Sequence, residues 1–263
     1  MPETKHGNRP VGEGQGHRAK EIMPDIDFAN EELGSKRDAT EIYSDGTYLT
    51  RHPTWHVEDS PWKAKQIQAM LSKNRIAPRT ICEVGCGAGE VLRQISLAMP
   101  DARCSGYELS PQAFALCKTR ASEKLHYFLK NLLDEDAHFD ALLCIDVFEH
   151  VEDYIGFIKA LRAKATYKIF HIPLDVCVLS VLRDSMLDQR RIAGHLHYFT
   201  LATAIATLQD SGYEIIDSFY TPAFADLPRK TTIARLARKL LYAISPDWMV
   251  KLLGGCSCLV LTK

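Results

Sequence analysis

Seven consecutive residues, Glu83-Val84-Gly85-Cys86-Gly87-Ala88-Gly89, set three glycines at alternate positions directly behind an acid. Alternate glycines remove the Cβ atoms that would hold a ligand away from the main chain. The run stands between a strand-like and a helix-like segment, where main-chain N–H groups at a helix start can receive a nucleotide-type ligand. The spacing is G-x-G-x-G, not the G-x-G-x-x-G of nicotinamide dinucleotide sites. Nineteen residues beyond Gly89 comes Glu108, at the end of the next strand-like run. A carboxylate there can accept from both hydroxyls of a ribose.

Proton chemistry at neutral pH points to histidine, whose ordinary pKa is about 6.5. His150 follows the apolar run FDALLCIDVF, His171 closes another such run, and His195 and His197 sit in GHLHYFT just before a helical pattern. All four fall on the edge of a parallel sheet where ligands bind. His150, His195 and His197 are the candidate bases. The His195-x-His197 pair could also open a metal site, but no carboxylate or cysteine stands at a convincing partner spacing, so no metal is expected.

The elements that must position these residues follow from hydrophobic period. RTICEVGC, ARCSGYELS, LHYFLKNLL, FDALLCIDVFEH and TYKIFHIPL read as buried strands, separated by GEVLRQISLAM, PQAFALCKTRAS and VEDYIGFIKALRAKA at helical spacing. This alternation predicts a doubly wound, mostly parallel sheet with helices on both faces. A longer connection spans 174–199, a helix capped by Thr200 runs to about Gly212, YEIIDSFYT is a further strand, and CSCLVLTK closes the chain as a last one. The first twenty residues hold almost no large apolar side chains, and residues 1–38 read as a disordered or loosely attached tail. Residues 39–78 read as an arm and a helix, the helix over 61–74 with Ser60 as cap and Pro61 at its first position. The arm is rich in aromatics: Trp55 and Trp62 either pin it to the domain or make it a lid that brings His56 and Glu58 to a pocket. Residues 222–254 form a helical insertion with Ile233, Leu236, Leu240 and Leu241 at helical spacing among Arg229, Lys230, Arg235, Arg238 and Lys239. It reads as a cap helix with a solvated basic face, or else as a surface for an anionic membrane or a lipid-linked or phosphorylated acceptor.

Thirty-two basic residues balance 33 acidic ones, leaving a net charge of −1, so no general attraction to nucleic acid is expected. No stretch approaches the roughly 18 apolar residues of a membrane span. No signal-peptide core is present at the start, which predicts a cytoplasmic protein. The eight cysteines contain no C-x-x-C pair, and Cys82, Cys104, Cys144 and Cys177 lie in or beside apolar runs, which predicts buried, reduced thiols.

Together, E-V-G-C-G-A-G, Y-E-L-S-P and F-D-A-L-L-C-I-D-V-F-E-H-V-E-D resemble the class I S-adenosylmethionine-dependent methyltransferases. The likeness is greatest to the small-molecule O-methyltransferase branch that includes quinone-biosynthesis types, and it covers roughly residues 79–221 together with 256–263. It implies a Rossmann-like seven-stranded sheet ending in an antiparallel hairpin made by YEIIDSFYT and CSCLVLTK. It implies S-adenosyl-L-methionine as cofactor, with Gly85, Gly87 and Gly89 turning beneath its methionine part and Glu83 near the amino group. Glu108 would hold the ribose, Leu109 would pack on the adenine, and Asp146 would line the pocket. Asn131, or Asp134 if the register shifts, stands where many members carry an acid near the adenine amine. The acceptor implied is a small molecule, a carbohydrate or a lipid-linked compound methylated at oxygen. Peripheral membrane contact would run through 229–243. The alternatives are a non-catalytic cofactor- or partner-binding protein that keeps the fold, and an NAD-dependent oxidoreductase, which the glycine spacing disfavours.

Overall fold

A computed structural model describes residues 43, 46–51, 53–55, 57–227 and 232–263 of the chain. The expected tail over 1–38 and His56 lie outside these residues. In chain order the strands are β1 (Thr80–Val84), β2 (Arg103–Glu108), β3 (Leu125–Leu129), β4 (Phe139–Ile145), β5 (Ala165–Pro173), β6 (Ile215–Thr221) and β7 (Ser257–Thr262). They form one sheet in the order β3-β2-β1-β4-β5-β7-β6. Neighbours from β3 through β5 are parallel, while β7 runs antiparallel to both β5 and β6. The mostly parallel sheet is the one the pattern predicted, and the terminal antiparallel pair is the one the resemblance implied.

The helices are α1 (Thr47–Arg51), α2 (Ser60–Lys73), α3 (Glu90–Ala98), α4 (Pro111–Cys117), α5 (Tyr154–Leu161), α6 (Val178–Leu182), α7 (Ser185–Ile192), α8 (Leu201–Asp210), α9 (Ala223–Asp226), α10 (Ile233–Ile244) and α11 (Pro246–Leu253). Strand side chains alternate between faces, so two cores form. Cys82, Leu142, Cys144, Phe170 and Val260 pack with Ile158 and Leu161 of α5 and Ala204 and Leu208 of α8. Ile81, Leu143, Ile169 and Leu261 pack with Ile67, Met70 and Leu71 of α2 and Leu92 and Ile95 of α3. All eight cysteines are buried and free.

The sequence signals for helix starts hold in detail. Ser110 caps α4 by accepting from the Ala113 N–H, and Thr200 caps α8 in a reciprocal box with Thr203. One differs: Ser60 is the first residue of α2 rather than its cap, and Asp59 takes the cap position without its side chain accepting from the helix start. The 174–199 connection carries two short helices, α6 and α7. The basic face expected to be solvated on α10 is partly turned inward, where Arg235 donates to the Phe224 carbonyl and Arg238 to those of Leu253 and Gly254. Among the described residues no helix is long and apolar enough to cross a membrane.

Leu142 sits at the centre of this arrangement, fully buried and paired on both sides, to Cys82 of β1 and Lys168 of β5. Leu142→Ala should cost about 2–5 kcal/mol. It should lower the urea midpoint with an unchanged slope, since the surface exposed on unfolding stays the same.

Candidate active site

The glycine-rich turn leaves β1 and enters α3. Gly85, Gly87 and Gly89 all have positive φ, at 64°, 53° and 77°, a region that L side chains rarely adopt. The three do different work. A Cβ on Gly87 would lie 2.8 Å from the Trp55 indole, on the side open to the cavity. A Cβ on Gly89 would lie 2.6 Å from the Tyr127 ring and 2.7 Å from Cys117, so this glycine serves packing beneath the turn. The Cys86 N–H donates to the Tyr107 carbonyl and ties the turn to β2.

Two cavities flank the turn. One, of about 340 Å³, is lined by Glu83, Gly85, Gly87, Gly89, Lys63, Asp146, His150, His171 and His195, with Tyr48 and Trp55 above them. The other, of about 290 Å³, is lined by Glu108, Leu109, Asn131, Asp146 and His150, again with Tyr48 and Trp55. Tyr48 and Trp55 pack with ring centroids 4.8 Å apart, so the aromatic arm covers both spaces. Trp62 instead donates its indole N–H to Asp226, and Glu58 is exposed.

Glu83 is buried at the end of β1, and its Oε2 has no hydrogen-bond partner. Burial, opposed in part by the nearby Lys63 charge, pushes its carboxyl up to about 8. Glu108 accepts the Gly87 N–H on Oε2, at 2.7 Å, and the Leu109 and Ser110 N–H groups on Oε1, each at 2.8 Å. Burial raises its pKa against those three donors. Both acceptor positions of Oε1 are thereby filled, and Oε2 keeps one. Asn131 holds the following turn by accepting the Leu133 N–H, and Asn131, not Asp134, reaches the cavity wall.

Asp146 occupies the left-handed region with φ of 54°. Its Oδ2 meets Lys63 Nζ at 2.6 Å and its Oδ1 meets His171 Nδ1 at 2.6 Å. Burial would raise the carboxyl, but His171 and Lys63 outweigh it and hold it well below the usual range. His171 completes the chain through Nε2, 2.9 Å from Thr221 Oγ1. Both its ring nitrogens are therefore engaged.

The candidate bases separate. His195 Nδ1 lies 2.6 Å from Asp175 Oδ2, an acceptor that fixes the proton on Nδ1 and leaves the Nε2 lone pair free. His150 Nδ1 faces the Gly194 carbonyl at 3.1 Å and the Tyr43 hydroxyl at 2.9 Å. A carbonyl can only accept, so His150 too keeps its lone pair on Nε2. Burial and the neighbouring His195 lower its pKa to about 4. His197 is a correction. Its Nε2 donates to the Val151 carbonyl at 2.9 Å and its ring packs 4.3 Å from Tyr154, away from both cavities.

Sequence reasoning missed Lys63, Asp175 and Glu149. Glu149 is fully buried, neither of its carboxyl oxygens has a hydrogen-bond partner, and burial and Asp146 raise its pKa well above the ordinary value. With His150 and His195 it offers three ligand atoms within 4.8 Å of one another, a set that could hold a metal ion. The E-H dipeptide after β4 was the available signal, since it sets Glu149 beside the candidate base His150.

Residues 55–218 match the profile described as a methyltransferase domain, which is more than half of the chain. The chain belongs to that family. A ubiquinone biosynthesis O-methyltransferase from Methylocella silvestris is 33% identical over 104 residues, covering 35% of this chain and 40% of that protein. Another of that description, from Nitrosospira multiformis, is 28% identical over 93 residues, covering 33% and 38%. The chain thus spans about two fifths of the length of these curated relatives. Among solved structures, the magnesium protoporphyrin IX methyltransferase of Synechocystis PCC 6803 with S-adenosylmethionine bound superposes with a TM-score of 0.57 at 15% identity. The superposition covers 88% of this chain and 99% of that one. This likeness shows the methyltransferase fold.

The raised pKa of Glu83 has a measurable sign. Between its ordinary 4.5 and about 8 the folded protein holds a proton that the unfolded chain has lost, so stability falls as pH rises through that window. Glu83→Gln removes this dependence. The stability of the variant relative to wild type should climb by up to about 1.4 kcal/mol per pH unit from pH 5 to 8 in urea titrations. Parallel pH profiles would show Glu83 ionised at its ordinary value.

Proposed function

We propose that this protein transfers a methyl group from S-adenosylmethionine to a hydroxyl oxygen of a small-molecule acceptor. The observation that carries the reading is the unpartnered Oε2 of Glu83 beside the glycine turn, across one cavity from a histidine held by Asp175. The relatives' description as O-methyltransferases supports the choice of oxygen.

The residues fit the donor. Glu83 Oε2 is a buried acceptor without a donor, as an ammonium group requires. Lys63 stands in the same cavity and can meet a carboxylate. Gly85 and Gly87 admit close approach, Glu108 retains one acceptor position, on Oε2, for a ribose hydroxyl, and Leu109 and Asn131 line the adenine end. The sulfonium supplies a methyl group already activated for displacement. The chain contributes alignment, worth up to roughly 7–11 kcal/mol in well-ordered sites, and water exclusion beneath Tyr48 and Trp55. His195 Nε2 accepts the acceptor hydroxyl's proton while Asp175 steadies the imidazolium that forms.

Calorimetric titration tests the donor site. S-adenosylmethionine and its demethylated product should both bind wild type and bind Glu108→Ala more weakly. An ammonium ionises Glu83, so binding near pH 7 should release about one proton per site, read from the dependence of heat on buffer. Glu83→Gln should abolish that release. A folded wild type that binds neither ligand overturns the reading. With phenolic acceptors of the quinone-precursor type, His195→Ala should lower kcat by about 10²–10⁴-fold while donor affinity stays unchanged.

A second reading follows from Glu149. Its unpartnered carboxyl and the Nε2 atoms of His150 and His195 make a donor set for a divalent cation, with Asp175 and the Gly194 carbonyl orienting the rings from behind. A bound cation would lower the pKa of the acceptor hydroxyl instead. Turnover lost on chelation and restored by a divalent salt favours this reading, whereas turnover unaffected by chelator favours His195 as base.

A further inference from the structure

Helix α10 is oriented against the usual rule for surface helices, in which the apolar stripe faces the protein. Ile233, Leu236, Leu240 and Ile244 share one face and are 91%, 52%, 61% and 81% exposed. The opposite face meets the protein through cations: Arg235 bonds the Phe224 and Leu227 carbonyls, and Arg238 those of Leu253 and Gly254. Leu241 and Tyr242 are half-buried beside them, Tyr242 against Phe224. The arginines are thus committed to main-chain carbonyls while four large aliphatic side chains stand in water. Trp248 on the adjoining α11 is 61% exposed and lies under Lys251, whose Nζ is 5.8 Å from the ring centroid.

We propose that the α10–α11 face docks this protein on an anionic lipid bilayer. Two occupants could cover such a face, a second copy of the chain or a membrane. Charge separates them. With Arg235 and Arg238 turned onto main-chain carbonyls, the exposed charges described on α10 and α11 are Lys239 and Lys251 against Asp247, which already accepts the Tyr220 hydroxyl. A two-fold contact sets this patch against itself and brings like charges together. Lys239 and Lys251 are exposed at the patch and would meet each other's copies there. Anionic headgroups instead accept the cations while the aliphatic row and the Trp248 indole enter the interface, which is the division of labour of an in-plane amphipathic helix. The inward side of α10 adjoins the catalytic region. A further cavity of about 330 Å³ is lined by Arg238 of α10, Leu253 of α11 and Leu179 and Met186 of the neighbouring helices, and it shares Pro173, Ala223 and Ser257 with the cavity that holds Glu83 and His195.

The test is cosedimentation of the full chain with vesicles of phosphatidylcholine alone or mixed with phosphatidylglycerol, at low and high salt. Wild type should pellet with the mixed vesicles and less so at high salt. Trp248 fluorescence should shift to the blue, a shift that Trp248→Phe removes. The exposed triple variant Leu236→Ser/Leu240→Ser/Ile244→Ser should bind roughly tenfold more weakly. Lys239→Gln/Lys251→Gln should lose binding to the mixed vesicles at low salt. Calorimetric donor affinity, measured on the same samples, should be unchanged in all of them, which keeps this outcome separate from that of the donor site. Wild type that fails to pellet, or a triple variant that pellets equally, overturns the proposal. So does a wild-type dimer in solution that the triple variant abolishes, since the face would then be a contact between copies.

Discussion

The candidate site hangs on one ion-pair chain. Lys63 of α2, Asp146 after β4, His171 of β5 and Thr221 of β6 are linked end to end by contacts of 2.6, 2.6 and 2.9 Å. Asp146 is held in a left-handed conformation, a strain of order 1–3 kcal/mol for a non-glycine residue. The strain persists because opposite partners grip both carboxylate oxygens. That grip fixes the start of the segment that delivers Glu149 and His150. It also draws α2, and with it the aromatic arm, over the glycine turn. Breaking one member would leave a buried charge without its partner, which costs more than the pair contributes when intact.

Around this charged chain burial raises the pKa of two other carboxyls, Glu83 and Glu149. Oε2 of Glu83 and both carboxyl oxygens of Glu149 have no hydrogen-bond partner in the protein. Lys63 is already committed to Asp146 and offsets only part of the cost at Glu83. Buried acceptors left open in this way are costly to keep, and both acids face the same cavity region. Unsatisfied groups of this kind are the usual mark of a site that is completed by something bound.

Sequence legibility followed range along the chain. The glycine turn is contiguous, so its conformation and its place between strand and helix could be read from seven residues. Strand alternation and the Thr200 cap are equally local, which is why the parallel sheet was legible, whereas its closing antiparallel pair came from the resemblance. Lys63 and Asp146 are 83 positions apart, and Asp175 reaches His195 across twenty. Nothing in local pattern distinguishes such pairs from other charged residues. His197 shows the converse error. Residues two apart in an extended segment share a side, but the ring turned to Tyr154 and the Val151 carbonyl instead. In α10 the spacing revealed an apolar row and a cationic row without saying which faced the protein. The main-chain carbonyls of Phe224, Leu253 and Gly254 settled that, and they come from the two ends of residues 222–254.

The strand order carries a consequence for how the site comes into being. β7 follows every other strand in the chain yet lies between β5 and β6, pairing His171 with Leu259 on one side and Thr221 with Ser257 on the other. The bond between His171 and Thr221 therefore spans a strand that is made after both. During synthesis the five parallel strands and the glycine turn can assemble first, while β6 has no neighbour to join. Only when residues 257–262 slot between them does Thr221 come within reach of His171. Sequential assembly of this kind places the closing step on a non-local pairing, the slow kind in folding. The nascent chain can thus present a formed turn before the ion-pair chain beside it is finished.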